Sequence, residues 1–278
     1  ADIRMFHASW PIPKAGSAEV EQLLGAYPVI EGFSALSTPD EPSRWPSATW
    51  RRVPTRISVT EANPSLLWSI RTAAPADHRM HNWGDYHFAQ ALAAALERRG
   101  QQATVDFQPN NERPSGAFED VVLNLRGLRD FALPADAISV IWVISHPDQV
   151  TGKELSKYNL RYAASTAWAR QTTEQWGVDV RPLLQCTDRN RFYLSDDDRI
   201  PELTERAIMV GNSRKMYRSS AWIPASMGYP VTIYGTDWAG SVPDEAIAGS
   251  RVDNAALRRY YRSARFALND HWDDMREM

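Results

Sequence analysis

Cysteine is almost missing from this chain: Cys186 is the single thiol in 278 residues. It can form neither an internal disulfide nor a thiolate metal cage, which fits a reducing compartment. Long apolar runs are missing as well. None approaches the ~20 residues that a membrane-spanning helix needs. The opening Ala1-Asp-Ile-Arg-Met-Phe-His7 lacks the basic stretch and apolar core of a secretory signal. A cytoplasmic protein without a transmembrane segment is therefore expected. The chain does not open with Met, so it reads as a processed protein or as a piece of a larger one. Neither sign of charge dominates, and a net charge of −3 gives no bulk pull toward nucleic acid or anionic lipid. Metal-site spacing is absent among His7, His78, His81, His87, His146 and His271, so no metal is expected. No G-x-S-x-G elbow, Walker A loop or complete G-x-G-x-x-G fingerprint occurs. The missing fingerprint argues against a nicotinamide dehydrogenase.

What the chain does have is length for about two domains, and an alternation of short apolar runs with helical patterns. Residues 1–60 stand apart. Pro28, Pro39, Pro42, Pro46 and Pro54 alternate with Trp45 and Trp50 after a short helix expected over Ser17–Leu24. Proline at that density disfavours long regular elements, so this segment is read as irregular.

From Leu66 onward a βα rhythm begins. Strands are expected at Leu66–Arg71, Ala103–Phe107, Asp120–Leu125, Ile138–Ile144, Arg161–Ser165 and Val180–Leu184. Helices are expected at Tyr86–Arg99, closed by Gly100, and at Lys153–Asn159 and Trp168–Trp176. Thr72 to Asn82 reads as a polar loop. The charged stretch from Asp188 to Glu205, with Asp196, Asp197 and Asp198, reads as a linker. The rhythm then restarts with strands at Ala207–Val210, Val231–Tyr234 and Phe266–Leu268. Helices are expected at Lys215–Met227, at Asn254–Ser263 with Asn254 as cap, and from His271. Strands alternating with helices specify an α/β fold with parallel, doubly wound sheets. Two Rossmann-like domains are expected, at 61–190 and 191–278.

Four stretches could carry chemistry. Ile138 to Ile144 is an apolar run broken only by Ser139, and it ends in Ser145-His146-Pro147-Asp148. Pro147 has no backbone N–H and must stop the strand. His146 and Asp148 therefore lie just past the carboxyl end of a central strand, where open α/β sheets bind ligands. Val210-Gly211-Asn212-Ser213-Arg214-Lys215 runs from a strand through glycine toward a helix. Backbone N–H groups and two cations there suit an anion such as a diphosphate. Gly84, Asp85 and His87 sit in a loop entering the first long helix, where Asp85 reads most simply as its cap. Asn269 and His271 follow the last strand, where plain turn chemistry is an equal reading.

Several pieces occur together and in order: Trp83-Gly-Asp-Tyr-His-Phe-Ala89, Leu125-Arg-Gly-Leu128, Ile141-Trp-Val-Ile-Ser-His-Pro-Asp148, Leu184-Gln-Cys-Thr-Asp188, Val210-Gly-Asn-Ser-Arg214, and Tyr260 through Asn269-Asp270-His271. In this combination the chain resembles the CgeB-like bacterial glycosyltransferases, a GT-B group related to family 4 enzymes, from about Leu66 to Met278. The resemblance implies two facing domains with a nucleotide-sugar donor between them and no metal or other cofactor. It implies donor diphosphate contacts from Gly211, Asn212, Ser213, Arg214 and Lys215, with His146 and Asp148 as catalytic candidates facing the sugar. Gly84, Asp85, His87, Arg126, Asn269 and His271 would line the cleft. The acceptor, whether glycan, protein or small molecule, is not specified, and anomeric retention is the expected outcome. Relatives continue beyond Asp274-Met-Arg-Glu277 with further donor contacts, so the second domain is expected to be incomplete in this sequence. The rival readings are a GT-B-type sugar-nucleotide epimerase and a non-catalytic sugar- or partner-binding module.

Overall fold

The computed structural model describes residues 65–108, 113, 116, 118–195 and 199–270. The Pro/Trp-rich segment, the helix expected at Ser17–Leu24, the acidic triplet Asp196–Asp198 and the helix expected from His271 lie outside the described residues.

The first sheet has six strands, all parallel: β1 (Leu67–Pro75), β2 (Gln102–Gln108), β3 (Val121–Arg126), β4 (Ile138–Val143), β5 (Leu160–Ala163) and β6 (Arg181–Pro182), in the order β2-β1-β3-β4-β5-β6. β3 is buried along its whole length, and β4 everywhere but at Ile138. Continuous apolar runs are what a two-sided parallel strand requires. The helix α1 (Gly84–Glu97) buries Ala89 and Ala93 against Ile70, Val105, Leu123, Leu125 and Trp142. Two small residues one turn apart let the helix approach the sheet closely. Gly100 closes that turn in the left-handed region, φ +77°.

The opposite face receives α2 (Gly152–Leu155) and α3 (Thr166–Trp176), with Leu155, Trp168 and Ala169 on Ile141 and Val143. Ser165 caps α3 by accepting from the Trp168 N–H at 3.2 Å, and Gly177 ends it.

Toward β1 and β2 the same face is polar, yet buried. Asp106 accepts from Ser69 Oγ at 2.6 Å and from Arg113 Nε at 2.7 Å, while Arg113 also pairs with Glu119 and Arg71 with the Ala132 carbonyl. Buried charges persist only when paired in this way. Burial pushes the Glu119 carboxyl up to about 7, with Arg113 pulling it part of the way back.

The second sheet comprises β7 (Ala207–Val210), β8 (Val231–Tyr234), β9 (Ile247–Gly249) and β10 (Phe266–Ala267), parallel and ordered β10-β7-β8-β9. Its core is Met209, Ala221, Ala225, Val231, Ile233 and Trp238. α4 (Ser219–Ser226) and α5 (Leu257–Ser263) complete it.

Several expectations are corrected. The polar loop expected from Thr72 is strand as far as Pro75, with Thr72, Ala73 and Ala74 buried, and a 3-10 turn follows at His78–Asn82. The second sheet has four strands, not three. The helix expected from Lys215 begins at Ser219, carries Pro224 within it and ends at Ser226, just before Gly228 turns left-handed at φ +77°. The Lys153 helix is a four-residue turn beginning at Gly152. The cap of α1 is Trp83, with Asp85 inside the first turn, and α5 is preceded by Ala256, not Asn254. The stretch read as a linker packs onto α5: the Ile200 N–H donates to Ser263 Oγ at 2.7 Å, and Arg258 lies 4.4 Å over the Tyr193 ring.

Candidate active site

Each sheet reverses its winding once. In the first, the chain leaves β1 for β2 on one side and returns to β3 on the other. In the second it steps outward through β7, β8 and β9, then crosses back to β10 beside β7. At such a reversal the loops leaving adjacent strands part in opposite directions, opening a crevice beyond the carboxyl ends.

The first crevice gathers Asp85, Gly127, Ser145 and His146. Gly127 follows β3 directly. A β-carbon there would lie 3.2 Å from Asp85 Oδ2 and 3.1 Å from Ser145 Oγ, so its bare backbone lets the two side chains converge. His146 stands at the left-handed corner, φ 52° and ψ 52°, that turns β4 into the 3-10 turn Pro147–Gln149. Its Nδ1 is 3.0 Å from Ser145 Oγ. Burial raises the Asp85 pKa, and the charge of His146 opposes that rise. Asp85, from the start of α1, thus stands within electrostatic reach of His146. Asp148 is exposed on the 3-10 turn.

His87 is drawn back to the His81 carbonyl, 3.0 Å from its Nε2, and burial lowers its pKa. Arg126, expected in the cleft, is 4 % exposed. Its guanidinium donates to Glu154 Oε1 at 2.5 Å, to the Gln149 carbonyl at 3.0 Å and to the Gly127 carbonyl. It ties the loops after β3 and β4 to α2 instead of lining the opening.

The second crevice lies between β7 and β10. Gly211 is fixed from two sides: its N–H donates to the Tyr234 carbonyl at 2.8 Å, and its carbonyl accepts from Trp238 Nε1 at 2.7 Å. Gly235 lies so close that a β-carbon on it would come 2.0 Å from the Gly211 oxygen. Asn212 Oδ1 accepts from the Thr236 N–H at 2.9 Å, and the buried Ser213 hydroxyl donates to the Asp237 carbonyl. These two side chains shape the loop. Arg214 and Lys215 are exposed and both left-handed, φ 54° and 58°. Such backbone costs about 1–3 kcal/mol per residue and collects at ligand clamps and switches.

Arg218, Ser220 and Asp270 were not foreseen together. Arg218, 8 % exposed, pairs with Asp270 and donates to the Asn212 carbonyl at 3.0 Å, and Ser220 Oγ donates to Asp270 Oδ2 at 2.8 Å. Arg218 stands one position before the helix begins at Ser219, whereas a helix starting at Lys215 would carry it in its first turn. Asn269 is exposed beside Asp270, and His271 lies outside the described residues.

Among the described residues, no group of three or more His, Cys, Asp or Glu side chains is arranged to hold a metal ion, and no helix is long and apolar enough to cross a membrane. No protein-family model and no curated protein matches the chain.

Proposed function

We propose that the protein is a nucleotide-sugar-dependent glycosyltransferase of the GT-B type. One observation carries this reading: the strand order of the second sheet brings the Gly211 loop and Asn269–Asp270 to one crevice. The donor diphosphate binds along Gly211 to Lys215. Arg214 and Lys215 stabilise the negative charge that builds on the leaving diphosphate. His146, half-buried at a strand terminus with Asp85 nearby, orients the donor sugar and assists transfer to an acceptor hydroxyl. The GT-B arrangement, anomeric retention and the absence of a cofactor requirement rest on the resemblance carried by the motifs.

The test is release of nucleoside diphosphate from UDP- and GDP-sugars, with and without a mixture of glycan acceptors. Acceptor-dependent release that His146→Ala abolishes, while nucleotide still binds, is the expected result. Conversion of the donor sugar without any acceptor would favour the epimerase.

A second reading has its own observation. The Asp270 carboxylate already engages Arg218 and Ser220 at the start of α4. In a non-catalytic module that internal anion would take the place of a phosphate, and no nucleotide would bind.

A further inference from the structure

A hollow of ≈ 400 Å³ opens between the first turn of α1 and the segment that follows β6. That volume falls within the roughly 300–1,000 Å³ of small-molecule sites. A hollow of ≈ 490 Å³ elsewhere is lined by the Phe131–Ala135 loop, Ser139 and Asn159. Ser139 stands near the amino end of β4, on the edge of the first sheet away from its crevice. The smaller hollow is therefore the one placed for function.

Its walls are held in place. Phe88 forms one side and meets the Trp142 indole edge to face, with ring centroids 5.2 Å apart. The same indole donates from Nε1 to the Leu183 carbonyl at 2.7 Å, which fixes the strip carrying Gln185, Cys186 and Thr187. Ile144 lies just past the end of β4, two residues before His146. Asp85 stands at the mouth, and Gly84 beside it leaves open space, since a β-carbon there would meet nothing within 4 Å. Trp83 makes no side-chain cap, so it satisfies none of the first amides of α1.

We infer that this hollow binds a neutral pyranose ring. An aromatic side chain held in the wall suits the apolar C–H surface of a sugar. A carboxylate and an amide at the rim suit its hydroxyl groups, and bonds to an ionised acceptor are the stronger kind. Among the described residues no lysine or arginine lines the hollow, and Asp85 repels a phosphate or carboxylate there. Calling this sugar the acceptor rests on the transferase reading, whereas the pocket chemistry does not.

Cys186 is the sole cysteine and lies in the wall, so its alkylation reports on occupancy. The experiment follows labelling by N-ethylmaleimide in the presence of methyl glucoside, galactoside, mannoside and N-acetylglucosaminide, with glucose 6-phosphate as the charged control. At least one methyl glycoside is expected to slow labelling saturably by about fivefold or more. Asp85→Asn and Phe88→Leu are expected to remove most of that protection, and glucose 6-phosphate to give none. Thr187→Trp, at an exposed position, fills the hollow without disturbing the core and should also abolish protection. The inference is overturned if no glycoside protects, if glucose 6-phosphate protects equally, or if protection survives these substitutions. UDP and GDP binding is measured on the same protein. Nucleotide binding without glycoside protection sinks the pocket alone, while protection without nucleotide binding upholds the pocket and sinks the transferase.

Discussion

The two sheets follow one topological rule with opposite electrostatics. The first hides its charges: Arg71, Arg113 and Arg126 are paired with Asp106, Glu119 and Glu154 on the face away from α1. Its crevice is left with a carboxylate, a histidine and a hydroxyl. The second sheet buries one arginine, Arg218, and exposes Arg214 and Lys215 at the rim. A nucleotide diphosphate needs cations that can reach it, and a neutral sugar needs hydrogen-bonding side chains rather than a cation. The difference teaches which ligand each crevice can receive.

The comparison breaks most readily at Arg126. Arg126→Ala leaves Glu154 buried and unpaired, which should cost about 3–5 kcal/mol. Urea unfolding followed by the fluorescence of Trp142 and Trp168 would measure it. A loss near zero would mean that this arginine is not part of the scaffold.

Next in size is Gly235→Ala. The added methyl collides with the Gly211 carbonyl, and a forced backbone shift should cost roughly 1–3 kcal/mol. The effect belongs to the second sheet, so nucleotide binding should fall with it while Cys186 labelling is unchanged.

Glu119 sharpens the contrast through pH. Its carboxyl is held at about 7 against an ordinary 4.5. The folded chain therefore keeps a proton that the unfolded chain has released, and stability falls as pH rises from about 4.5 to about 7. Glu119→Gln should flatten that slope in unfolding curves measured across the window. An unchanged slope would assign it to other groups.

The smallest effect on the fold, and the most specific for the ligand, is expected at Arg214. Arg214→Ala should leave the unfolding midpoint in place and weaken diphosphate binding about tenfold, near 1.4 kcal/mol.

Much of this contrast was legible in the sequence. Val121–Leu125 and Ile138–Ile144 are short, largely apolar runs, each with one polar residue and rich in Val, Ile or Leu, which suits a strand buried on both faces, and Pro147 marks where β4 must end. The α/β class followed from that alternation. What escaped depends on pairing across distance. Arg126 resembles any basic residue at a strand end, and its partner Glu154 arrives only when α2 folds over the sheet. Asp270 meets Arg218 because β10 crosses back beside β7, which no local pattern announces. β9 is three residues, Ile247-Ala-Gly249, too short and too plain to register as a strand. The start of α4 was misplaced because Arg214 and Lys215 are good helix formers that the fold instead holds in left-handed turns.

The central claim is that the Gly211 loop holds a diphosphate while the His146 crevice faces what is transferred. Calorimetric titration of UDP, GDP and the matching monophosphates into wild type, Arg214→Ala and His146→Ala tests it most directly. The account predicts binding that requires the diphosphate, weakens about tenfold in Arg214→Ala and is unchanged in His146→Ala. Absence of nucleotide binding in the wild type, or loss of it in His146→Ala but not in Arg214→Ala, would contradict it.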